Sequence, residues 1–173
     1  MERIGKLWEI GQITVSAEHL ATTIVNRLIP IIRRTVPSIH STGNSAILAC
    51  PAGEQHQLGV QIASELLASY GWQTLLLGAN TPTDDLVKFI DQMHPNLLCL
   101  SLTIPDHLPS LLALLIKVTA LYPDLPILAS GSAFRTLGTQ ELQSYTNVSL
   151  VEDLTKLPAI LTSFVKHTRR PGK

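Results

Sequence analysis

Short apolar runs alternate with helical patterns from Asn44 onward, and this alternation restricts the fold more than any other feature of the chain. The runs are predicted to be buried strands at residues 45–50, 73–77, 97–102, 126–130 and 147–151. The segments between them have apolar residues at helical spacing and predict helices at residues 58–70, 84–93, 107–121 and 153–167. Continuous apolar strands that alternate with helices predict a parallel sheet with helices on both faces.

Five such strands predict an α/β fold of the flavodoxin-like, Rossmann-type class. In that winding the ligand crevice lies at the carboxyl ends of the strands, beside the first and third strands. His56 follows the first run, Ser101 ends the third run and Gly131 ends the fourth. We therefore expect these separate segments to meet at one pocket.

The loop after the first strand contains Glu54, His56 and Gly59. A carboxylate two residues before a histidine can accept the ring N–H and fix the tautomer, so that the other ring nitrogen faces outward as a metal ligand. Gly59, near the start of the next helix, allows a ligand to approach the backbone closely. This motif alone leaves open a second interpretation, a solvated loop histidine beside a helix-start carboxylate.

The N-terminal forty residues have a different pattern. Helices are predicted at residues 1–10 and 17–36, with Ser16 as the cap of the second helix and Pro37 as its end. The predicted domains are a helical cap segment at residues 1–40 and an α/β domain at residues 44–168. One broad apolar face of the second helix consists of Leu20, Ile24, Val25, Leu28, Ile31 and Ile32.

Composition excludes several classes of function. Thirteen basic and thirteen acidic residues cancel, so nothing predicts direct binding of nucleic acid by this chain. No run approaches the roughly 18 apolar residues that a membrane span needs, and no apolar signal core follows Met1. Cys50 and Cys99 fall in predicted strands as reduced, apolar side chains, which favours a cytoplasmic protein.

Other polar and aromatic residues have no motif around them. Trp72 is predicted to pack in the core, and Thr83 is predicted to cap the helix at residues 84–93 through its hydroxyl. The remaining histidines are predicted to face solvent: His40, His94, His107 and His167.

The segment Glu54-x-His56-x-x-Gly59 resembles the Asp-x-His-x-x-Gly signature of the cobalamin (vitamin B12)-binding domain family, with Glu in place of Asp. Three more segments match that family in order and spacing. They are residues 77–82 after the second run, Ser101-Leu102-Thr103 at the third, and Gly131-Ser132 at the fourth, where the family usually has Gly-Gly.

A second resemblance lies in the N-terminal segment, where Trp8 is followed by nine residues and then by Glu18 and His19. This Trp-x9-Glu-His spacing resembles the helical cap of light-sensing cobalamin-dependent transcription regulators. In that family the cap covers the upper face of the corrin, with the tryptophan near the adenosyl group and the Glu-His pair facing the cofactor. Core packing of Trp8 and a surface position for His19 are the alternatives.

The resemblance implies how cobalamin would bind. The nucleotide base is detached from cobalt, His56 is the lower ligand, and Glu54 orients His56. The released tail enters the α/β domain past Ser101-Leu102-Thr103, with the Ser101 hydroxyl near its base and Gly131 leaving room for it. Ser132, in place of the second glycine, narrows that channel.

The resemblance also implies a regulator that switches and does not turn over substrate. Adenosylcobalamin is the expected cofactor, with methylcobalamin as the alternative. Light would break the cobalt–carbon bond, after which His19 or a water molecule would reach the metal. The rival functions are a corrinoid methyl carrier of a methyltransferase system, a mutase cobalamin domain, and a cobalamin storage or chaperone protein.

The family's cap usually has four helices, whereas two are predicted here, without a preceding winged-helix domain. The expected partner is therefore a second copy of the chain or a regulatory protein. The sequence is compatible with a short regulator or with part of a longer one.

Overall fold

The structure is a computed structural model that describes residues 2–35, 39–138, 140–157 and 159–161. Contacts divide the chain into two compact units, Met1–Pro37 and Ser38–Lys173. The first unit contains two helices, and the second contains a parallel sheet with its surrounding helices. None of the helices in the described ranges is long and apolar enough to cross a membrane.

The first unit consists of α1 (Glu2–Glu9) and α2 (Val15–Thr35). Both helices were predicted, but the prediction that Ser16 caps the second one is wrong. The backbone N–H of Ala17 donates to the Thr14 hydroxyl at 3.2 Å, and Ser16 lies inside the first turn. Helix α2 starts two residues earlier than predicted because Thr14 is also a good capping residue. Its predicted end at Pro37 lies outside the described residues.

No described residue of α2 is buried. Its apolar face is exposed over most of its length, with Val25 partly buried and the following residues exposed: Leu20, Ile24, Leu28, Ile31 and Ile32. An exposed apolar stripe of this size is typical of an interaction surface.

The second unit contains one five-stranded sheet in which every strand pair is parallel. The strands are β1 (Ser45–Pro51), β2 (Gln73–Thr81), β3 (Leu97–Ser101), β4 (Ile127–Ser130) and β5 (Val148–Val151). Their order is β2-β1-β3-β4-β5, which is the flavodoxin-like order. The predicted fold class is therefore confirmed.

Helices connect successive strands. They are α3 (Leu58–Ser69), α4 (Thr83–Met93), α5 (Leu108–Leu121) and the short α6 (Ala133–Leu137). Three 3₁₀ turns accompany them, at Pro105–His107, Gln140–Leu142 and Leu154–Lys156. Helix α6 was not predicted because five residues are too few to show helical periodicity. The predicted helix at residues 153–167 begins in the structure with the Leu154–Lys156 turn, and its residues 158 and 162–167 lie outside the described residues.

Alternate residues of β1 face two separate apolar clusters. Ile47 and Ala49 belong to the cluster that contains residues of α4 and α5, whereas Ala46 and Leu48 belong to the cluster that contains residues of α3. Trp72 is buried in the α3 cluster, which confirms its predicted packing role. The sheet is thus buried on both faces, and its carboxyl edge is left for the loops that form the candidate site.

The largest difference from the prediction is at the end of β2. The strand was expected to stop at residue 77, but it continues to Thr81 through register shifts, with Ala49 opposite Gly78. Gly78 and Asn80 have positive φ angles of 80° and 49°. These residue types indicate turns in a sequence, yet they also form bulges within strands, and here the bulge brings Asn80 to the loop after β1.

The predicted cap of α4 is also wrong. Thr83 is the first residue of the helix, and Pro82 stands at the capping position without a side-chain hydrogen bond. Proline fixes an extended backbone at this position, so that the chain turns into the helix one residue earlier than the Thr83 hydroxyl would require.

Candidate functional site

The predicted hydrogen bond between Glu54 and His56 is present in the loop after β1. The His56 Nδ1 atom lies 2.6 Å from Glu54 Oε1, and the His56 backbone N–H donates to the same oxygen at 2.9 Å. Because a carboxylate only accepts, Nδ1 carries the ring proton and Nε2 has the free lone pair. The His56 side chain is 57% exposed and that of Glu54 is 0% exposed, so a buried anion holds an accessible imidazole.

The second oxygen of Glu54 connects this loop to the end of β3. Glu54 Oε2 accepts the backbone N–H groups of Thr103 and Ile104, each at 2.8 Å. Burial raises the pKa of Glu54, but the hydrogen bonds from Ile104, His56 and Thr103 outweigh it, and the net pKa lies below its ordinary value. Glu54 is therefore an ionised acceptor that fixes two loops of the sheet edge.

A third strand also holds the loop. The Asn80 backbone N–H donates to the Glu54 carbonyl at 2.8 Å, and Asn80 Oδ1 accepts the Gly53 N–H at 2.8 Å. Nearby, Gln57 Oε1 accepts the Ala79 N–H at 3.2 Å. The sequence analysis did not predict these contacts of Asn80 and Gln57. For Asn80 a signal was present, because an asparagine two residues after a glycine at a strand end is typical of a bulge.

Leu102 and Thr103 contribute backbone atoms to the site. The Leu102 side chain is fully buried in the core, while its carbonyl accepts the Ala133 N–H at 3.2 Å. The Thr103 carbonyl accepts the hydroxyl of the exposed Ser132 at 3.3 Å. Ser132 thereby ties the loop after β4 to the loop after β3.

Ser101 and Gly59 are close together, as predicted for residues at one sheet edge. A Cβ atom at Gly59 would lie 2.9 Å from the hydroxyl oxygen of Ser101, which is 4% exposed. Both residues line a cavity of about 20 Å³ between α3, the ends of the central strands and the Leu154–Leu157 segment. Its other lining residues are mostly apolar: Val60, Ala63, Cys99, Leu100, Leu128, Ser130 and Val151.

Gly131 has a φ of 123° and no room for a side chain, because a Cβ atom there would overlap the carbonyl oxygen of Leu102. The space that we expected Gly131 to leave for a ligand is occupied by the Leu102 peptide. A contact between Gly131 and a ligand remains a prediction.

The prediction that His107 faces solvent is wrong. Its Nδ1 atom is buried and lies 3.6 Å from Glu54 Oε2, and its side chain is 30% exposed. The cause is local: the Pro105–His107 turn follows directly on Ile104, whose N–H is bound to Glu54, and so the ring folds back over the same loop. His40 and His94 are exposed as predicted, and His167 lies outside the described residues.

The candidate residues of the helical unit repeat the same pairing. His19 Nδ1 lies 2.7 Å from Glu18 Oε2, and the Thr22 hydroxyl donates to Glu18 Oε1 at 2.7 Å. The His19 side chain is 75% exposed, and Trp8 on α1 is 46% exposed. In this unit, too, the Nδ1 atom of an imidazole is hydrogen-bonded to a carboxylate, and Nε2 takes no part in that hydrogen bond.

The two thiols are poor metal ligands. Burial, followed by the charge of Glu54, raises the pKa of Cys50 to about 12, and burial alone raises the pKa of Cys99 to about 12. Both stay protonated near neutral pH. The described part of the chain also contains no cluster of three or more His, Cys, Asp or Glu residues that could hold a metal ion.

Comparison with known proteins gives a consistent result. Residues 44–151 match the family model described as the B12 binding domain. Two transcriptional repressors of the HTH type from Myxococcus xanthus are similar to the chain: CarH is 29% identical over 135 residues, and CarA is 31% identical over 122 residues. These matches cover 77% and 68% of this chain but only 44% and 42% of the repressors, so the chain spans less than half of their length.

The fold also resembles a solved structure. The monomethylamine corrinoid protein of Methanosarcina barkeri has a TM-score of 0.80 over 94% of this chain and 77% of its own. The sequence identity is 13%, so this likeness concerns the fold alone.

The packing of Gly131 yields a prediction for the ligand-free protein. We expect Gly131→Ala to lower the free energy of unfolding by on the order of 3 kcal/mol, because positive φ strain adds to the overlap with Leu102. The matched control is Gly138→Ala, which has a φ of 77° but nothing within 4 Å of the new Cβ atom. Chemical denaturation measures both, and equal losses would contradict the role given to the Leu102 contact.

Proposed function

The chain belongs to the B12-binding domain family, and we propose that it is a cobalamin-binding regulatory protein in which His56 is the lower axial ligand of cobalt. The observation that carries the proposal is the exposed His56 ring, whose Nδ1 is fixed by the buried Glu54 carboxylate. A neutral imidazole held in this way presents Nε2 to a metal. One protein ligand is sufficient when a corrin ring supplies the equatorial nitrogens.

Ser101 and Gly59 would hold the nucleotide tail of cobalamin in the cavity that they line. The apolar lining suits the faces of an aromatic base, and the Ser101 hydroxyl offers it one hydrogen bond. The cavity of about 20 Å³ holds roughly one water molecule, so binding requires α3 or the Leu154–Leu157 segment to move outward. Gly131 and Ser132 flank this path in the loop after β4.

When bound, cobalamin supplies a cobalt ion with an exchangeable upper ligand, and in adenosylcobalamin light releases that ligand. The Trp8 indole would cover an adenosyl group, and the His19 ring, which Glu18 holds by Nδ1, would be available to bind cobalt in its absence. Adenosylcobalamin is therefore the proposed cofactor, with methylcobalamin as the alternative.

A regulatory role is favoured over a methyl carrier by the Trp-x9-Glu-His segment and by the similarity to two transcriptional repressors. The methyl carrier remains the second candidate because the fold also resembles a corrinoid protein. Both candidates need His56 in the same position, and they differ in what the upper face does.

The exposed apolar face of α2 supports a further part of the proposal, association of two copies. Two helices from each copy form a four-helix bundle across a two-fold axis. Each apolar side chain gains roughly 1.5–3 kcal/mol when it is fully buried, so this face is a strong driving force. A regulatory protein is the alternative partner for the apolar face of α2.

The first prediction from the proposed function concerns the lower ligand of cobalt. We expect His56→Ala to remove the imidazole-bound absorption spectrum of the cobalamin complex, because no nitrogen donor replaces the ring. Glu54→Gln keeps that spectrum but weakens binding by about 10- to 100-fold, since its amide cannot accept all four N–H groups that face Glu54. Absorption titration measures both effects.

Two controls accompany this experiment. Glu54→Asp retains a carboxylate and restores the residue typical of the family, and His40→Ala removes an exposed histidine outside the site. An unchanged spectrum in His56→Ala would disprove ligation by His56.

The second prediction concerns the upper face. Trp8→Ala should weaken adenosylcobalamin binding by up to about tenfold and leave hydroxocobalamin binding intact, because only the former has a group for the indole to cover. His19→Ala should change the spectrum after illumination with green light but not the spectrum in the dark. Thr22→Val is the control, since it leaves the His19 ring in place. Identical light responses of His19→Ala and the wild type would exclude His19.

The third prediction concerns assembly. Light scattering of the loaded protein should give twice the chain mass of 18.8 kDa, and Leu28→Lys on α2 should give a monomer. Ile116→Lys is the matched control, because Ile116 is an exposed apolar residue of α5, 62% exposed. A monomeric wild type at micromolar concentration would contradict pairing through α2.

A further inference from the structure

A second imidazole faces the carboxylate that holds His56. His107 Nδ1 lies 3.6 Å from Glu54 Oε2, and this nitrogen is a buried atom for which the described residues provide no hydrogen-bond partner. A buried, unpartnered ring nitrogen costs free energy unless a nearby charge compensates for it.

The backbone places the ring there. Thr103 and Ile104 donate their N–H groups to Glu54 Oε2, and the chain then turns so that the His107 N–H donates to the Ile104 carbonyl at 3.1 Å. On the other side, the ring packs on Gly53, where a Cβ atom would lie 3.3 Å from His107 Cδ2. The absence of a side chain at Gly53 leaves the room that the imidazole uses.

The number of acceptor sites on Glu54 explains why His107 Nδ1 lies 3.6 Å from Oε2. A carboxylate has about four lone-pair positions, and four N–H groups already occupy those of Glu54. They come from the His56 backbone, His56 Nδ1, Thr103 and Ile104. His107 therefore stands just beyond hydrogen-bond length. A lone pair on Nδ1 would face an anionic oxygen, so the charge of Glu54 favours the tautomer with the proton on Nδ1.

We propose that His107 is a positioning residue for His56 and acts through Glu54. Its Nδ1–H attracts Oε2, the oxygen that His56 does not contact, and so opposes rotation of the carboxylate. Oε1 then stays in line with His56 Nδ1, and His56 Nε2 keeps one direction toward the ligand. This inference rests on the proposed ligation of cobalt by His56.

Two substitutions separate the N–H group from the packing of the ring. His107→Phe retains a ring over Gly53 but has no donor, whereas His107→Asn places an amide N–H near the position of Nδ1. His40→Ala is the control for loss of a histidine elsewhere in the same unit.

The readouts are the affinity for cobalamin and the nitrogen hyperfine splitting in the electron paramagnetic resonance spectrum of the protein loaded with cob(II)alamin. His107→Phe should bind about tenfold more weakly and lose part of the imidazole splitting, at the lower end of the effect expected for residues that orient a metal ligand. His107→Asn should restore both, and His40→Ala should change neither. In the protein without cofactor, nitrogen NMR should show a mixed His56 tautomer in His107→Phe only.

The outcomes are distinguishable. Full imidazole splitting and wild-type affinity in His107→Phe would overturn the inference and leave ligation by His56 intact. Equal losses in His107→Phe and His107→Asn would also overturn it, because the N–H group would then have no effect. Absence of imidazole splitting in the wild type would overturn the proposed function and this inference together.

Discussion

The candidate site depends on one buried carboxylate. Glu54 is fully buried, and four N–H groups from three separate backbone positions and one imidazole satisfy its oxygens. An isolated buried anion costs several kcal/mol. The folded protein avoids this cost only when the loops after β1 and β3 lie where their N–H groups donate to Glu54, so the carboxylate fixes the positions of both loops. Asn80 adds the end of β2 through the Glu54 backbone carbonyl. The direction of His56 is therefore a property of the folded sheet edge and exists before any ligand binds.

The sequence predicts the sheet well because buried parallel strands are continuous apolar runs, and each of the five was located. It does not predict how β2 ends, because glycine and asparagine indicate a turn as well as a bulge. Gly78 and Asn80 form the bulge, and the loop after β1 gains Asn80 as a partner. Helix α6 is missed for another reason, since five residues form less than two helical turns.

The site is predictable only where it depends on side chains that are close in sequence. Glu54 and His56 are two residues apart, and their hydrogen bond follows from that spacing. The two donors to Glu54 Oε2 are backbone N–H groups some fifty residues away, which every residue except proline has, so no residue type marks them. His107 is missed because its position depends on the turn that those donors create. The sequence indicates that a glycine is needed at position 131 to leave space for a ligand. In the structure the group that fills this space is the Leu102 backbone.

The two carboxylate–imidazole pairs differ in a way that matters for the proposed switch. Glu54 is buried and held by other donors, whereas the Glu18 and His19 side chains are 25% and 75% exposed. An exposed pair contributes only about 0–1 kcal/mol, since water competes for both groups. The His56 ring is thus fixed in direction, and the His19 ring can leave its carboxylate at little cost. The distance between Nδ1 and the carboxylate oxygen is nearly the same in both pairs, so the difference in their strength follows from exposure. In a regulator, this difference in burial would provide a permanent lower ligand and a conditional upper ligand.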